Sequence, residues 1–259
     1  MEIFISIIVY IIAGLGAGIG TGLAGLSAAA VISPMLVTFL DFNAYDAIGI
    51  ALASDVLASA ISAYTYKKND NLNIKDSLVM LFTVVIVTAI GSFIASYMPN
   101  NAMGNFAVYT TTLLGIKFIV KPVMNTKQVN ESKTKSQKIK QSIAAGAVIG
   151  FICGFVGAGG GMMMLLILTS VLGYELKTAV GTSVFIMSFT AFTGAISHFA
   201  IAGGVSDITA LIFCAVFTLI GARVSALFAN KADTKILNRV TGIVLTVLGV
   251  AMIIIKVIK

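Results

Sequence analysis

Long apolar segments, separated by short polar connections, follow one another along almost the whole chain. The segments are Ile3–Gly20, Leu26–Leu40, Ala47–Tyr66, Ser77–Tyr97, Phe106–Val123, Ser142–Gly157, Gly161–Leu172, Ala179–Ala202, Ile208–Ala229 and Val240–Ile258. Most of them approach the roughly 20 residues that a helix needs to cross the hydrocarbon core of a bilayer. The alternating pattern that is typical of strands in membrane barrels is absent. The chain is therefore predicted to be an all-α, polytopic transmembrane helical bundle.

Composition supports a membrane protein and excludes a soluble one. Of the 259 residues, 58% are hydrophobic and only 10% are charged, whereas soluble domains carry roughly 25% charged residues. The net charge of +7 does not indicate a nucleic-acid partner, because the basic residues lie in connections between apolar segments, where they set membrane topology. Cys153 and Cys214 lie inside apolar segments and are expected to be small buried side chains. No metal site and no cofactor are expected.

One polar connection is longer than the others and divides the chain into halves. Residues 124–141 carry five lysines against a single glutamate, which predicts a basic cytoplasmic linker. It separates a first transmembrane repeat, residues 1–123, from a second, residues 142–259. Four blocks recur in the two repeats: Gly22–Gly25 with Gly154–Gly157, Ala47–Gly49 with Ala179–Gly181, Ser59–Ser62 with Gly194–Ser197, and Ile90–Gly91 with Ile220–Gly221. Many transporter folds are built from such repeats.

The topology depends on whether each half contains four or five segments. If Ile3–Leu40 crosses the membrane once, the halves are parallel. If the chain turns back at Gly20–Gly25, the halves are inverted repeats with broken, Gly-rich helices. The inverted arrangement keeps Lys177 and Lys231 on the cytoplasmic side, which fits the positive-inside rule better. It also places the N-terminus outside, and Met1–Gly20 is expected to belong to the mature repeat because it lacks the basic start of a signal peptide.

A run of glycines in the second half is more than an ordinary membrane helix needs. Glycines at every fourth position from 146 to 154 have the spacing of close helix packing. Gly157 and the consecutive Gly159, Gly160 and Gly161 instead weaken a helix and free its backbone. A new helix that begins there would point unpaired N–H groups into a cavity in the membrane. The run therefore predicts an anion-binding site.

The first half carries a degenerate copy of this break, in which Gly25 and Ser27 are the candidate substrate contacts. The segments that follow the two breaks, Leu26–Leu40 and Gly161–Leu172, are too short to cross the hydrocarbon core at 1.5 Å per residue. We therefore expect each break to lie within the membrane and to be followed by a half-length or steeply tilted helix.

Four polar side chains in apolar segments complete the candidate site. Thr182 and Ser183 open a helix and either donate to an anionic oxygen or cap that helix. Asp55 lies about midway along its segment, where an ionised carboxylate is costly unless it is paired or hydrated. It is expected to carry a coupling proton or to bind a coupling cation. His198, the single histidine, is either a hydrogen-bonded packing residue or a proton relay.

At these residues the chain resembles the sulfite exporter TauE/SafE family of membrane permeases. The resemblance covers nearly the whole chain and is sharpest at Gly154–Gly161, Ala179–Ser183 and Gly194–His198. The first half departs from the family pattern, because Gly25–Ala29 replaces the glycine cluster. The resemblance implies a multi-pass transporter of the plasma (inner) membrane that moves sulfite, sulfonates or related small anions.

Three classes of function are open to such a chain. The leading one is an alternating-access carrier of a small anion across the lipid bilayer, with the two Gly-rich breaks facing each other near the midplane. A passive anion channel would need similar polar walls. An intramembrane enzyme would need paired acid–base groups or metal ligands at a recognisable spacing, so we expect no enzyme. The sequence leaves the carried anion and the oligomeric state open.

Overall fold

The computed structural model describes residues 2–99, 135–157 and 160–233, with scattered positions between 102 and 120 and between 235 and 254. Its continuous stretches form α1 (Glu2–Ala24), a 3-10 turn (Ala28–Ala30), α2 (Ile32–Leu40), α3 (Ala44–Lys68), α4 (Ile74–Ala95), α5 (Lys135–Val156), α6 (Gly160–Ser170), α7 (Leu176–Ala202) and α8 (Ile208–Lys231). The predicted segments Phe106–Val123 and Val240–Ile258 lie largely outside the described residues.

Six of the described helices, α1, α3, α4, α5, α7 and α8, are long and apolar enough to cross a membrane. Large apolar side chains such as Phe82, Ile208 and Val224 point outward from them and are about two-thirds exposed. A continuous apolar exterior of this kind marks a lipid-facing surface. The predicted all-α transmembrane bundle is confirmed.

The long helices α3 and α7 pack against each other at the centre of the bundle in opposite directions. Gly49, near the start of α3, lies against the Phe199 ring near the end of α7. Gly181, near the start of α7, lies against Tyr66 near the end of α3. Because α3 and α7 are counterparts in the sequence repeat, this antiparallel packing agrees with inverted halves, which stay a prediction that the topology experiment below tests.

The lysines of α3, α7 and α8 lie at one end of this central pair. The end of α3, the start of α7 and the end of α8 meet at Asn230, whose amide oxygen accepts from Asn71 Nδ2 at 2.9 Å and whose carbonyl accepts from Lys177 Nζ at 2.8 Å. This lysine-rich face carries Lys67, Lys68, Lys177 and Lys231. The opposite, acidic face carries Asp41, Asp46 and Asp207. The positive-inside rule assigns the lysine-rich face to the cytoplasm.

Helices from different halves of the sequence pack together through glycines. Those of α1 lie against the backbone of α8, and those of α5 lie against the backbone of α4. The glycines are at equivalent places in the two halves: Gly14, Gly18 and Gly22 on α1, and Gly146, Gly150 and Gly154 on α5. For Gly146, Gly150 and Gly154, this close approach is the packing role predicted from their spacing of four residues. The two repeats therefore interleave in space.

Two boundaries drawn from the sequence differ from the structure. Helix α5 begins at Lys135, so the last residues of the predicted linker, 124–141, are helical. The match of Ser59–Ser62 with Gly194–Ser197 has a spacing of 135 positions, whereas helices α3 and α7 begin 132 positions apart, at Ala44 and Leu176, and end 134 positions apart, at Lys68 and Ala202.

Replacing Gly18 with alanine is expected to lower the stability of the protein. The added methyl group would meet the Thr218 carbonyl and lie 2.7 Å from the Ala222 nitrogen, and overpacking of this kind costs about 1–3 kcal/mol. Gly20→Ala on the same helix is the matched control, because its methyl group would meet only the Leu26 side chain at 3.4 Å. Melting temperatures in detergent compare the two variants; equal values would contradict this account of the packing.

The side of the membrane from which an impermeant thiol reagent reaches an engineered cysteine is predicted by the face of the bundle on which that cysteine lies. Lys68→Cys on the lysine-rich face is expected to react only from the cytoplasmic side, and Ser206→Cys, before α8, only from outside. Both native positions are exposed, whereas Cys153 and Cys214 are buried. Labelling of intact cells and inverted vesicles measures this. Reaction of Ser206→Cys from the cytoplasmic side would favour parallel halves of four spans.

Candidate functional site

Helix α1 and helix α5 each stop at a glycine in the left-handed region. Gly25 follows α1 with a φ of 64°, and Gly157 follows α5 with a φ of 69°. Residues other than glycine rarely adopt this backbone conformation. The helices after the breaks have 9 and 11 residues, about 14 and 17 Å at 1.5 Å per residue. Each therefore reaches about halfway through the hydrocarbon core of roughly 30 Å.

The two breaks lie against each other. A methyl group added to Gly161, in the first turn of α6, would meet the Gly25 carbonyl and lie 2.9 Å from the Ser27 nitrogen. A methyl group added to Gly25 would meet the Ser183 hydroxyl. The predicted site residues Gly25, Ser27, Gly161 and Ser183 thus lie together, at the crossing of both breaks with the central helix α7.

Asp55 is fully buried and binds the first break. Its Oδ2 accepts from the Ala28 nitrogen, the first residue of the 3-10 turn, at 3.0 Å, and its Oδ1 accepts from the Ser59 hydroxyl at 2.8 Å. The Ser27 hydroxyl, next to Ala28, accepts from the Ala29 nitrogen at 3.3 Å. Thr21 lies 3.5 Å from the Asp55 carboxylate and also donates to the Ala17 carbonyl at 3.0 Å.

The surroundings of Asp55 are those of a bound anion. The carboxylate accepts from a backbone N–H at the start of a helical turn, the place where anions bind in proteins, and no described cation pairs with it. The Thr21 hydroxyl has one hydrogen for two acceptors, the Ala17 carbonyl and Asp55. A protonated Asp55 could donate to the Thr21 oxygen while the Thr21 hydroxyl still donates to the Ala17 carbonyl. The geometry therefore accommodates either protonation state of Asp55.

The second break has no carboxylate at the equivalent position. The residue 132 positions after Asp55 is Met187, and its sulfur lies beside Gly161, near the start of α6. The thiol of Cys153, one turn before the break, lies against Gly160. The first break is therefore occupied by a side chain of the protein, whereas the second is lined by glycines and soft sulfur-containing side chains.

The structure separates the two hydroxyls that were grouped as substrate contacts. The Thr182 oxygen accepts from the Asn73 nitrogen at 3.2 Å, which ties the start of α7 to the connection between α3 and α4. Ser183 donates to the Val180 carbonyl at 2.9 Å and lies beside Gly25. Ser183 is therefore the hydroxyl that borders the breaks. Gly159 lies outside the described residues.

His198 lies at the other end of α7 and joins three helices. Its Nε2 is 3.0 Å from the Gly154 carbonyl on α5, and its Nδ1 is 3.2 Å from the Tyr45 carbonyl on α3. The rings of Tyr45 and His198 stack with centroids 4.1 Å apart. A neutral imidazole has one N–H and satisfies one of the two carbonyls; only the imidazolium donates to both.

A vestibule of about 300 Å³ lies on the acidic face above this ring pair. Tyr45 lines this vestibule, and its ring stacks on the His198 ring. The remaining lining residues are Asn43, Asp46, Ser96, Met98, Ile201 and Ala202. The vestibule is lined mainly by polar atoms, and Tyr45 connects it through the stacked His198 ring to the Gly154 carbonyl before the second break.

Comparison with known proteins identifies the family. The sequence profile described as "Sulfite exporter TauE/SafE" matches residues 10–252. The chain belongs to the sulfite exporter TauE/SafE family. It is similar to the probable membrane transporter protein YunE of Bacillus subtilis, with 26% identity covering 96% of this chain and 97% of that protein. No solved structure matches it significantly.

Two further relatives carry the same kind of name. A probable membrane transporter protein of Methanocaldococcus jannaschii is 25% identical over 76% of this chain and 74% of its own length. The probable membrane transporter protein YdhB of Bacillus subtilis is 21% identical over 84% of this chain and 88% of its own length. Together with the six apolar helices, these matches make the chain a multi-pass membrane transporter of the TauE/SafE family.

Sequence reasoning missed two residues that contact the breaks. Thr21 precedes the repeated block Gly22–Gly25, and Tyr66 donates to the Gly22 carbonyl at 3.0 Å. If the gapless alignment of the two halves is extended to the end of α3, Tyr66 aligns with His198. Both residues looked like ordinary members of apolar segments because their partners are distant in sequence.

Gly25→Ala is expected to cost more stability than Gly203→Ala, and to abolish transport. Both variants place alanine in the left-handed region, which costs about 1–2 kcal/mol. Gly203 has φ of 82° and nothing within 4 Å, whereas a methyl group on Gly25 meets the Ser183 hydroxyl. Melting temperatures and solute flux compare the two variants. Full transport by Gly25→Ala would argue against a role for the contact between the breaks.

Proposed function

We propose that this TauE/SafE transporter is a secondary carrier of a small sulfur-containing anion, such as sulfite or a sulfonate, and that the anion binds where the two helix breaks meet. The carrier works by alternating access across the plasma membrane. The family supports the substrate class. The closeness of the two breaks supports the proposed site, because a methyl group added to Gly161 would meet the Gly25 carbonyl and lie 2.9 Å from the Ser27 nitrogen.

The second break is the better place for the substrate. The first turn of α6 provides backbone N–H groups at Gly160 and Gly161 that have no partner earlier in the helix, and the helix dipole favours a negative charge there. Ser183 adds a hydroxyl nearby. Glycine at these positions lets a small oxyanion reach the backbone. Gly159, which lies in the same run, is proposed as part of this wall.

The first break supplies the coupling group. Asp55 already accepts from Ala28 and Ser59, so its charge would repel a second anion at that break. Protonation of Asp55 removes this charge. We therefore assign Asp55 the coupling proton and treat Gly25 and Ser27 as the opposite wall of the site. A cation held by the carboxylate and the Thr21 and Ser59 hydroxyls would neutralise the site in the same way.

A transporter fits these residues better than an enzyme. Among the described residues, no three histidine, cysteine or acidic side chains are grouped where they could hold a metal ion. Asp55 and His198 do not contact each other. Asp55 accepts from donors near the breaks, and His198 faces two carbonyls. The named relatives are all described as membrane transporters.

Purified protein in liposomes is expected to show saturable sulfite flux that a pH gradient stimulates. Asp55→Asn should abolish the response to the gradient, because the amide cannot carry a proton, while the protein still folds. Asp70→Asn is the matched control, since Asp70 is exposed on the lysine-rich face and asparagine tolerates its positive φ of 57°.

Competition identifies the substrate in the same vesicles. Taurine, sulfoacetate, thiosulfate and sulfate are added in excess over labelled sulfite, and the best substrate should suppress the flux most. A flux by Asp55→Asn that equals wild type in size and in its pH dependence would remove the coupling role. Folded wild-type protein that moves none of these anions would remove the proposed substrate class.

A further inference from the structure

Two hydrogen bonds recur in the two halves of the protein. The Tyr66 hydroxyl donates to the Gly22 carbonyl at 3.0 Å, and His198 Nε2 contacts the Gly154 carbonyl at 3.0 Å. Gly22 and Gly154, like Tyr66 and His198, are 132 positions apart. The repeat therefore conserves the place of the interaction although the donor side chain differs.

Both accepting carbonyls belong to the last turn of a helix that ends in a break. Gly22 and Gly154 each lie three residues before a glycine with positive φ, Gly25 or Gly157. The last four carbonyls of a helix have no partner within it, so a buried side-chain donor at this position holds the end of the helix in place. Movement of either break would require this hydrogen bond to open.

The two bonds lie on opposite sides of the breaks. Tyr66 is followed by Lys67 and Lys68 and lies against Gly181 at the start of α7, on the side of the lysine-rich face. His198 lies on the side of the acidic face, where its Nδ1 approaches the Tyr45 carbonyl at the start of α3. Because α3 and α7 are antiparallel, equivalent residues face opposite sides of the membrane.

The bond on the acidic side separates the vestibule from the second break. Tyr45 lines the vestibule and stacks on His198, and His198 contacts Gly154 just before the break. On the lysine-rich side, Ser59, Ser62 and Tyr66 follow Asp55 along one face of α3, and the buried Ser62 hydroxyl has no hydrogen-bond partner. Each bond thus lies between the breaks and one face.

We propose that Tyr66 and His198 are the paired latches of the inner and outer gates, each closing one route by holding the carbonyl before a break. This inference rests on the alternating-access function proposed above. Opening the Tyr66–Gly22 bond frees the end of α1 and exposes the breaks to the lysine-rich face. Opening the His198–Gly154 bond frees the end of α5 and exposes them to the vestibule.

Latches and ordinary helix caps differ in one measurable respect. Loss of a helix cap weakens the fold and should increase access to the breaks from both faces equally. Loss of a latch should increase access from one face only. Cys153 is a native reporter of the opening, because it is buried and its thiol lies against Gly160 at the second break. A Cys214→Ala background leaves it as the single cysteine.

The test measures labelling of Cys153 by an impermeant thiol reagent added from either face. Tyr66→Phe is expected to accelerate labelling from the lysine-rich face, and His198→Phe from the acidic face, each by about two- to tenfold, the population shift that one hydrogen bond can produce. His198→Gln retains a donor and should label like wild type.

Tyr10→Phe is the matched control for the loss of a tyrosine hydroxyl. Tyr10 donates to Asp207 at 3.2 Å, at the start of α8 and away from both breaks, so its loss should leave labelling from both faces unchanged. Equal acceleration from both faces in Tyr66→Phe and His198→Phe, or no acceleration in either, would overturn the latches.

Sulfite flux in the same vesicles separates this inference from the proposed function. Side-specific labelling without flux of any sulfur anion would uphold the latches and reject the proposed substrate. Sulfite flux with labelling that does not depend on the side would uphold the carrier and reject the latches.

Discussion

Backbone N–H and C=O groups inside a bilayer must find partners within the protein, and the two helix breaks at the centre of this fold expose such groups. In the first half, the Asp55 carboxylate accepts from Ala28. The carbonyls before the breaks are held by Tyr66 and His198. Each of these partners lies on α3 or α7, which explains why the central pair is long, buried and antiparallel.

The differences between the halves are as informative as their similarity. The repeat gives both halves a break, a half-length helix and a latch. At equivalent positions of α3 and α7, Asp55 contacts the first break and Met187 lies beside the second, and the first latch is Tyr66 where the second is His198. This asymmetry suits the proposed division of roles, with Asp55 at the first break as the coupling group and the second break as the substrate wall.

The membrane-spanning segments and the helix breaks were predictable from local sequence. A long apolar segment indicates a helix that crosses the bilayer, and consecutive glycines indicate a place where a helix is weak. The need of Asp55 for polar partners was also predictable, since an ionised carboxylate in an apolar segment is costly unless it is paired or hydrated. Contacts between residues that are distant in the sequence were not predictable in this way. The binding of Thr182 to the Asn73 backbone depends on how α7 meets a connection that is distant in the sequence.

Counterflow of sulfite in proteoliposomes tests the central claim, that the meeting point of the breaks is exposed to one side of the membrane at a time. Vesicles are loaded with unlabelled sulfite and diluted into a trace of labelled sulfite. The account predicts a transient accumulation of label above its equilibrium level, because a carrier exchanges one anion for another. Label that only equilibrates, at a rate proportional to its concentration, would contradict alternating access and indicate a passive pore.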